Sequence, residues 1–266
     1  MSNIQEKVEA YRAALAEFDI FDTAMWWCPE VEDAFVCYKD WDKQVADLHA
    51  AGINGGLVTS RKAATFNAEQ GNAEVADMIG KHPEIRGCIV VTPDMFLVPG
   101  KGESYIRSMH RKGVVAARMY PAAYYHSSQE WCVGPMLTAL ENEGMPLLVW
   151  HIDTGWDAIA RICAAHPRLN VVVESQDRKL LYHARDYLSL LKRFPNFHLE
   201  THNLVLFNEY ENIYELVGDR QLLYGSYFPY AEPNFSIYPI FSAKIPDSAK
   251  QAIYSGNAKR IFNIPD

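Results

Sequence analysis

The sequence predicts an α/β protein of the TIM, or (β/α)8, barrel class, and three observations lead there. Eight short β-rich runs recur along 266 residues, amphipathic segments separate them, and a helix-stopping glycine or proline precedes several of the runs. Parallel strands joined by crossover helices require this alternation, and the length suits one closed barrel over residues 1–266.

The opening helix carries Ile4, Val8, Tyr11 and Leu15 on one face and leads into a first strand over Phe18–Asp22. A helix bearing Val45 and Leu48 stops at Gly52 before the second strand, Gly55–Thr59. The third strand is Cys88–Thr92; the fourth, Val114–Met119, follows Gly113; the fifth, Leu147–Trp150, follows Gly144. A helix through Trp156, Ile159 and Ile162 breaks at His166-Pro167 before the sixth, Val171–Val173. Phe197–Thr201 and Leu222–Ser226 complete the set. An open doubly wound sheet shares this local pattern.

With 49% hydrophobic and 22% charged residues, the chain can bury a large core without staples. A net charge of -8 disfavours nucleic acid, because a phosphate backbone calls for clustered Lys and Arg. No apolar stretch in Met1–Leu15 reads as a signal peptide or membrane span, so a cytoplasmic protein without a membrane partner is expected. The five cysteines, Cys28, Cys37, Cys88, Cys132 and Cys163, are widely spaced with no Cys-x-x-Cys pair, which reads as reduced thiols. No Gly-rich phosphate loop follows a strand: Gly52-Ile53-Asn54-Gly55-Gly56 has the wrong spacing and runs into one. No cofactor is expected.

Several segments carry a resemblance in order along nearly the whole chain. They are Phe21-Asp22-Thr23, the run Gly113–Pro121, Gly144–Val149, His166–Val173, Gly225-Ser226-Tyr227-Phe228-Pro229 and Asn257–Phe262. Together they resemble the amidohydrolase superfamily, in the branch of small-carboxylate decarboxylases and lactonases. The resemblance implies a metal or catalytic centre at the C-terminal mouth of the barrel, and a hydrolase or lyase cleaving C–O, C–N or C–C bonds of a small carboxylate or cyclic substrate.

The chain departs from that pattern at each implied ligand. Where the family reads Asp-x-His-x-His, this sequence reads Asp22-Thr23-Ala24-Met25-Trp26. The implied histidine of the fifth strand falls on Trp150, with His151 one residue later and so on the other strand face. That of the sixth falls on Ser175, beside Glu174, and the implied aspartate of the eighth falls on Tyr227. Methyl, indole, hydroxyl and phenol groups are poor zinc ligands, so no bound metal is expected. The replacements point to a drier, aromatic mouth that includes Tyr120 and suits a flat ligand; equally, the rings can simply fill volume.

His198, Glu200 and His202 alternate with Leu199 and Thr201, placing the polar three on one strand face. Glu200 and His202 are thereby candidates for a general base, or for a hydrogen-bonded polar core layer. Arg118, at the end of the fourth strand, is a candidate for gripping a substrate carboxylate, or for an ion pair with Asp22 or Glu174. Asp22 reads as structural. The functions left open are a metal-independent enzyme using Arg118, Glu200 and His202, a silent barrel that binds a small molecule or partner in its mouth, and a metal hydrolase with an atypical ligand set. A homo-oligomer is compatible with each.

Overall fold

The computed structural model describes residues 2–29, 38–176, 178 and 180–265. Cys37 lies outside the described residues; Cys88, Cys132 and Cys163 are free thiols. Eight parallel strands follow one another in sequence order around the sheet: β1 (Phe21–Trp27), β2 (Gly55–Ser60), β3 (Ile85–Val90), β4 (Val114–Met119), β5 (Leu147–Trp150), β6 (Val171–Glu174), β7 (Phe197–Glu200) and β8 (Leu222–Leu223). Between and around them run α1 (Ser2–Leu15), α2 (Trp41–Ala50), α3 (Arg61–Thr65), α4 (Ala68–Met78), α5 (Lys101–His110), α6 (Glu130–Asn142), α7 (His151–Thr154), α8 (Trp156–Ala165), α9 (Ala184–Arg193), α10 (Glu209–Val217), α11 (Asn234–Ser242), α12 (Asp247–Gln251) and α13 (Asn257–Phe262). The fold is the TIM barrel expected, not the open sheet.

The ring closes between β1 and the segment after β8. The Thr23 N–H and hydroxyl both donate to the Tyr224 carbonyl, at 3.0 and 2.8 Å, and the Trp26 N–H donates to the Phe228 carbonyl at 2.7 Å. This seam explains two boundary differences. β1 begins later than expected and extends through Trp27, because its register with β2 runs from Phe21 opposite Gly55 to Trp27 opposite Ser60, with an irregularity between Asp22 and Met25. β8 stops early because Ser226 gives its N–H to Asp22 Oδ1 at 2.9 Å and not to a strand ladder.

Period-two alternation sorts the strand residues. Met25, Val58, Ile89, Ala117, Val149, Val173 and Leu199 face the helices in the main core. Phe21, Leu57, Cys88, Ala116, Leu148, Val172 and Leu223 form an apolar layer of their own, into which α13 packs Ala258, Ile261 and Phe262. Each fully buried aliphatic side chain of this kind contributes about 1.5–3 kcal/mol, a surplus that lets the barrel hold a polar layer next to it.

Candidate functional site

Two residues beyond that apolar layer, the same strand faces carry Thr59, Arg118, Trp150, Glu174 and Glu200. The charged side chains would be costly here unless paired. Arg118 is fully buried, and its guanidinium grips Glu174 with both ends of the fork: Nε donates to Oε2 at 2.9 Å and Nη2 to Oε1. Nη1 donates to the Thr59 hydroxyl, Nη2 also reaches the Thr23 carbonyl at 3.3 Å, and the Trp26 ring covers the group with its centroid 5.0 Å from Cζ. Of the options the sequence leaves for Arg118, the structure shows the ion pair, with Glu174 as the partner and not Asp22. Burial works against the guanidinium's charge, but the Glu174 carboxylate outweighs it and raises the Arg118 pKa. Burial pushes Glu174 upward, with Arg118 opposing.

Asp22 fastens the seam. Its Oδ1 accepts from the N–H groups of Ala24 and Ser226, both at 2.9 Å, and its Oδ2 accepts from the Ser226 hydroxyl. Glu200 accepts from the His202 backbone N–H at 2.5 Å. The contact between Glu200 and His202 therefore runs through the main chain: β7 ends at Glu200, and the His202 ring packs edge-on to Tyr227 with centroids 4.8 Å apart. Burial lowers the His202 pKa to about 4. Burial, followed by the nearby Glu174 charge, raises the Glu200 pKa well above its ordinary value. Gly225 is required beside it, since a Cβ there would run into the Glu200 carboxyl. His198 shares no network with these two; its Nε2 meets Asn170 Oδ1 at 3.0 Å.

Above the polar layer lies a cavity of about 230 Å³, lined by Trp26, Tyr120, Trp150 and Tyr227 together with Arg61, Asp153 and Gln176. Trp26 sits 6.4 Å from Tyr120 and 6.3 Å from Tyr227, and its Nε1–H is buried with no hydrogen-bond partner among the described residues. The Trp150 Nε1–H donates to the Ser175 carbonyl at 2.9 Å. Gln176 donates to the Tyr120 hydroxyl at 3.1 Å. Gln176 and Tyr227 hold left-handed backbone, with φ of 47° and 62°, a strain that collects at functional sites. His151 is directed elsewhere: its Nδ1 meets the Glu174 carbonyl at 3.0 Å, and its ring lies 5.3 Å from Trp156 and 5.1 Å from His183.

Arg118, Glu200 and His202 are not among the residues lining this cavity. Arg61, Asp153 and Gln176 are, and sequence reasoning missed them. The Arg61 guanidinium lies 5.7 Å from the Tyr230 ring centroid and, among the described residues, forms no ion pair. Asp153 accepts from the Ala122 N–H at 2.9 Å, and burial raises its pKa, with that hydrogen bond and His126 opposing. No motif marks them; the available signal is that each lies within three residues of the C-terminal end of a strand, where barrel sites are built. Among the described residues, no group of three or more His, Cys, Asp and Glu is placed to hold a metal ion. No helix among them is long and apolar enough to cross a membrane.

The amidohydrolase family model matches residues 36–264, and the chain belongs to that family. A search of curated proteins returned no match. Similar solved structures include a 5-carboxyvanillate decarboxylase from Sphingomonas paucimobilis, with a TM-score of 0.71 and 14% identity, covering 93% of this chain and 100% of that one. A dihydroxybenzoic acid decarboxylase from Polaromonas sp. JS666, solved with bound manganese and the inhibitor 2-nitroresorcinol, gives 0.70 and 13%, over 93% and 97%. An uncharacterised TIM-barrel protein from Bordetella bronchiseptica gives 0.68 and 16%, over 97% and 91%. At these identities the likeness is one of fold.

Proposed function

We propose that this chain binds a small aromatic carboxylate in its barrel mouth, without a metal ion. The observation that carries the reading is the aromatic cavity with a guanidinium at its side: Trp26, Tyr120, Trp150 and Tyr227 offer flat apolar surface, and Arg61, free of any acidic partner among the described residues, offers a carboxylate clamp. The unpartnered Trp26 N–H adds a donor for a ligand oxygen.

A metal ion does not fit the donor set. At the positions where the family resemblance puts ligands, Ala24, Trp26, Trp150, Ser175 and Tyr227 present a methyl, two indoles, an alcohol and a phenol. Arg118, Glu200 and His202, the sequence candidates for catalysis, serve in this reading to support the floor beneath the ligand. Calorimetric titration of chelator-treated protein with benzoates, aliphatic carboxylates and neutral aromatic analogues tests the proposal. Aromatic acids are expected to bind best, and Arg61→Ala to weaken them about 10- to 100-fold. Neutral aromatics binding as tightly as the acids, or Arg61→Ala without effect, would reject it.

Asp153 favours a second reading, turnover. The similar decarboxylases act on aromatic acids, and such a reaction breaks the ring carbon–carboxylate bond, releases CO2 and puts a proton on the ring carbon. Asp153 is an acid with a raised pKa in the cavity lining. Carbon dioxide release by wild type that Asp153→Asn abolishes, with ligand affinity kept, is the result that this reading expects.

A further inference from the structure

The Arg118 guanidinium lies among the substituted ligand positions. It packs against Trp26, hydrogen-bonds the carbonyl of Thr23 next to Ala24, and is clamped by Glu174 next to Ser175. Side chains or main chain from β1, β2, β4 and β6 meet at this one group. Asp22 and Glu200 are near enough for its charge to act on both.

We propose that Arg118 is the resident cation of this barrel, a positive charge built into the chain that does the work of an inorganic ion at the floor of the mouth. The inference rests on the metal-free reading above. Its physical basis is the match between group and setting. A guanidinium is planar, stays charged when buried, and spreads its donors over a wider arc than an ammonium can. One such group ties opposite sides of the barrel together and balances the Glu174 charge. An apolar face remains for Trp26 to cover. The mouth is thereby independent of metal supply.

The test compares thermal unfolding of the whole protein and three variants at neutral pH, with and without millimolar manganese chloride or sub-denaturing guanidinium chloride. Manganese is expected to leave wild type unchanged, and guanidinium to lower its melting temperature only by the ordinary denaturant effect. Arg118→Ala, with Glu174 left buried and unpaired, is expected to melt about 10 °C lower and to regain several degrees with guanidinium or manganese. An Arg118→Ala response to both cations no larger than that of wild type overturns the inference. Where Arg118→Ala does not fold, Arg118→Lys and Arg118→Met decide. The charged lysine is expected to melt well above the neutral methionine, and equal losses or the reverse order overturn the inference. Manganese measured in dialysed wild type separates the two levels. One equivalent retained rejects the metal-free reading, whereas a metal-free wild type with unresponsive variants rejects the role of Arg118 alone.

Discussion

Acidification from pH 6.5 towards pH 4 is expected to remove on the order of 3 kcal/mol of stability from the wild type that a His198→Gln variant does not lose. Burial, with the Arg260 charge adding to it, pushes the His198 pKa down to about 3. In the unfolded chain the same imidazole titrates near 6.5. Between those values the unfolded state binds more protons than the folded one. The contribution of neutral His198 is therefore complete above about pH 6.5 and shrinks as the pH falls towards 3. His202, lowered to about 4 by burial, acts in the same direction. Glu200, Glu174 and Asp22 act in the opposite one: their pKa values are raised by burial, so the stability they give is present at low pH and is lost as the pH rises. Because these groups oppose one another, the informative quantity is a difference. Urea unfolding of wild type and His198→Gln at pH 7 and pH 4 should show the acid loss reduced in the variant; the same loss in both would remove His198 from the account.

Glu174→Ala is expected to lower stability by about 3–5 kcal/mol, because it strands the Arg118 guanidinium in the barrel interior. Both members of the pair are almost fully buried, at 0% and 2% exposure, so water cannot take over from the lost carboxylate. The double variant Arg118→Met/Glu174→Leu should recover most of the loss, since it removes both charges and keeps much of the volume. Guanidinium-induced unfolding measures both. A Glu174→Ala variant as stable as wild type would mean that the pair contributes little. A double variant no better than the single would place the loss in packing.

Much of the barrel was legible because burial imposes a period. Val114–Met119 and Leu147–Trp150 stand where the pattern put them, each launched by a glycine with positive φ, Gly113 and Gly144. Local apolarity points to a first strand over Phe18–Asp22, whereas the real extent of β1 is set by pairing with β2 and by hydrogen bonds to residues 224–228. No local signal reports such distant partners. In the site, Trp26, Tyr120, Trp150 and Tyr227 could be named from motif order, and they line the cavity. The partner of Arg118 could not: choosing Glu174 over Asp22 depends on which carboxylate has its oxygens free, and those of Asp22 are taken by Ala24 and Ser226. Arg61 and Asp153 reach the cavity from α3 and α7, helices of five and four residues that are too short to carry a periodic signature.

The seam between β1 and the end of the barrel also sets a timetable for synthesis. Thr23 meets Tyr224 across 201 residues of chain, and Asp22 meets Ser226 across 204. At ribosomal speeds of about 5–20 residues per second, roughly 10–40 s separate the appearance of the first strand from that of its clasp. Throughout that interval β1 has an open edge and carries Trp26 and Trp27 without their final cover, the kind of surface on which nascent chains are caught by neighbours or by chaperones. The ring is thus made in order and locked last, and the carboxylate of Asp22 waits for a serine that is almost the whole chain away.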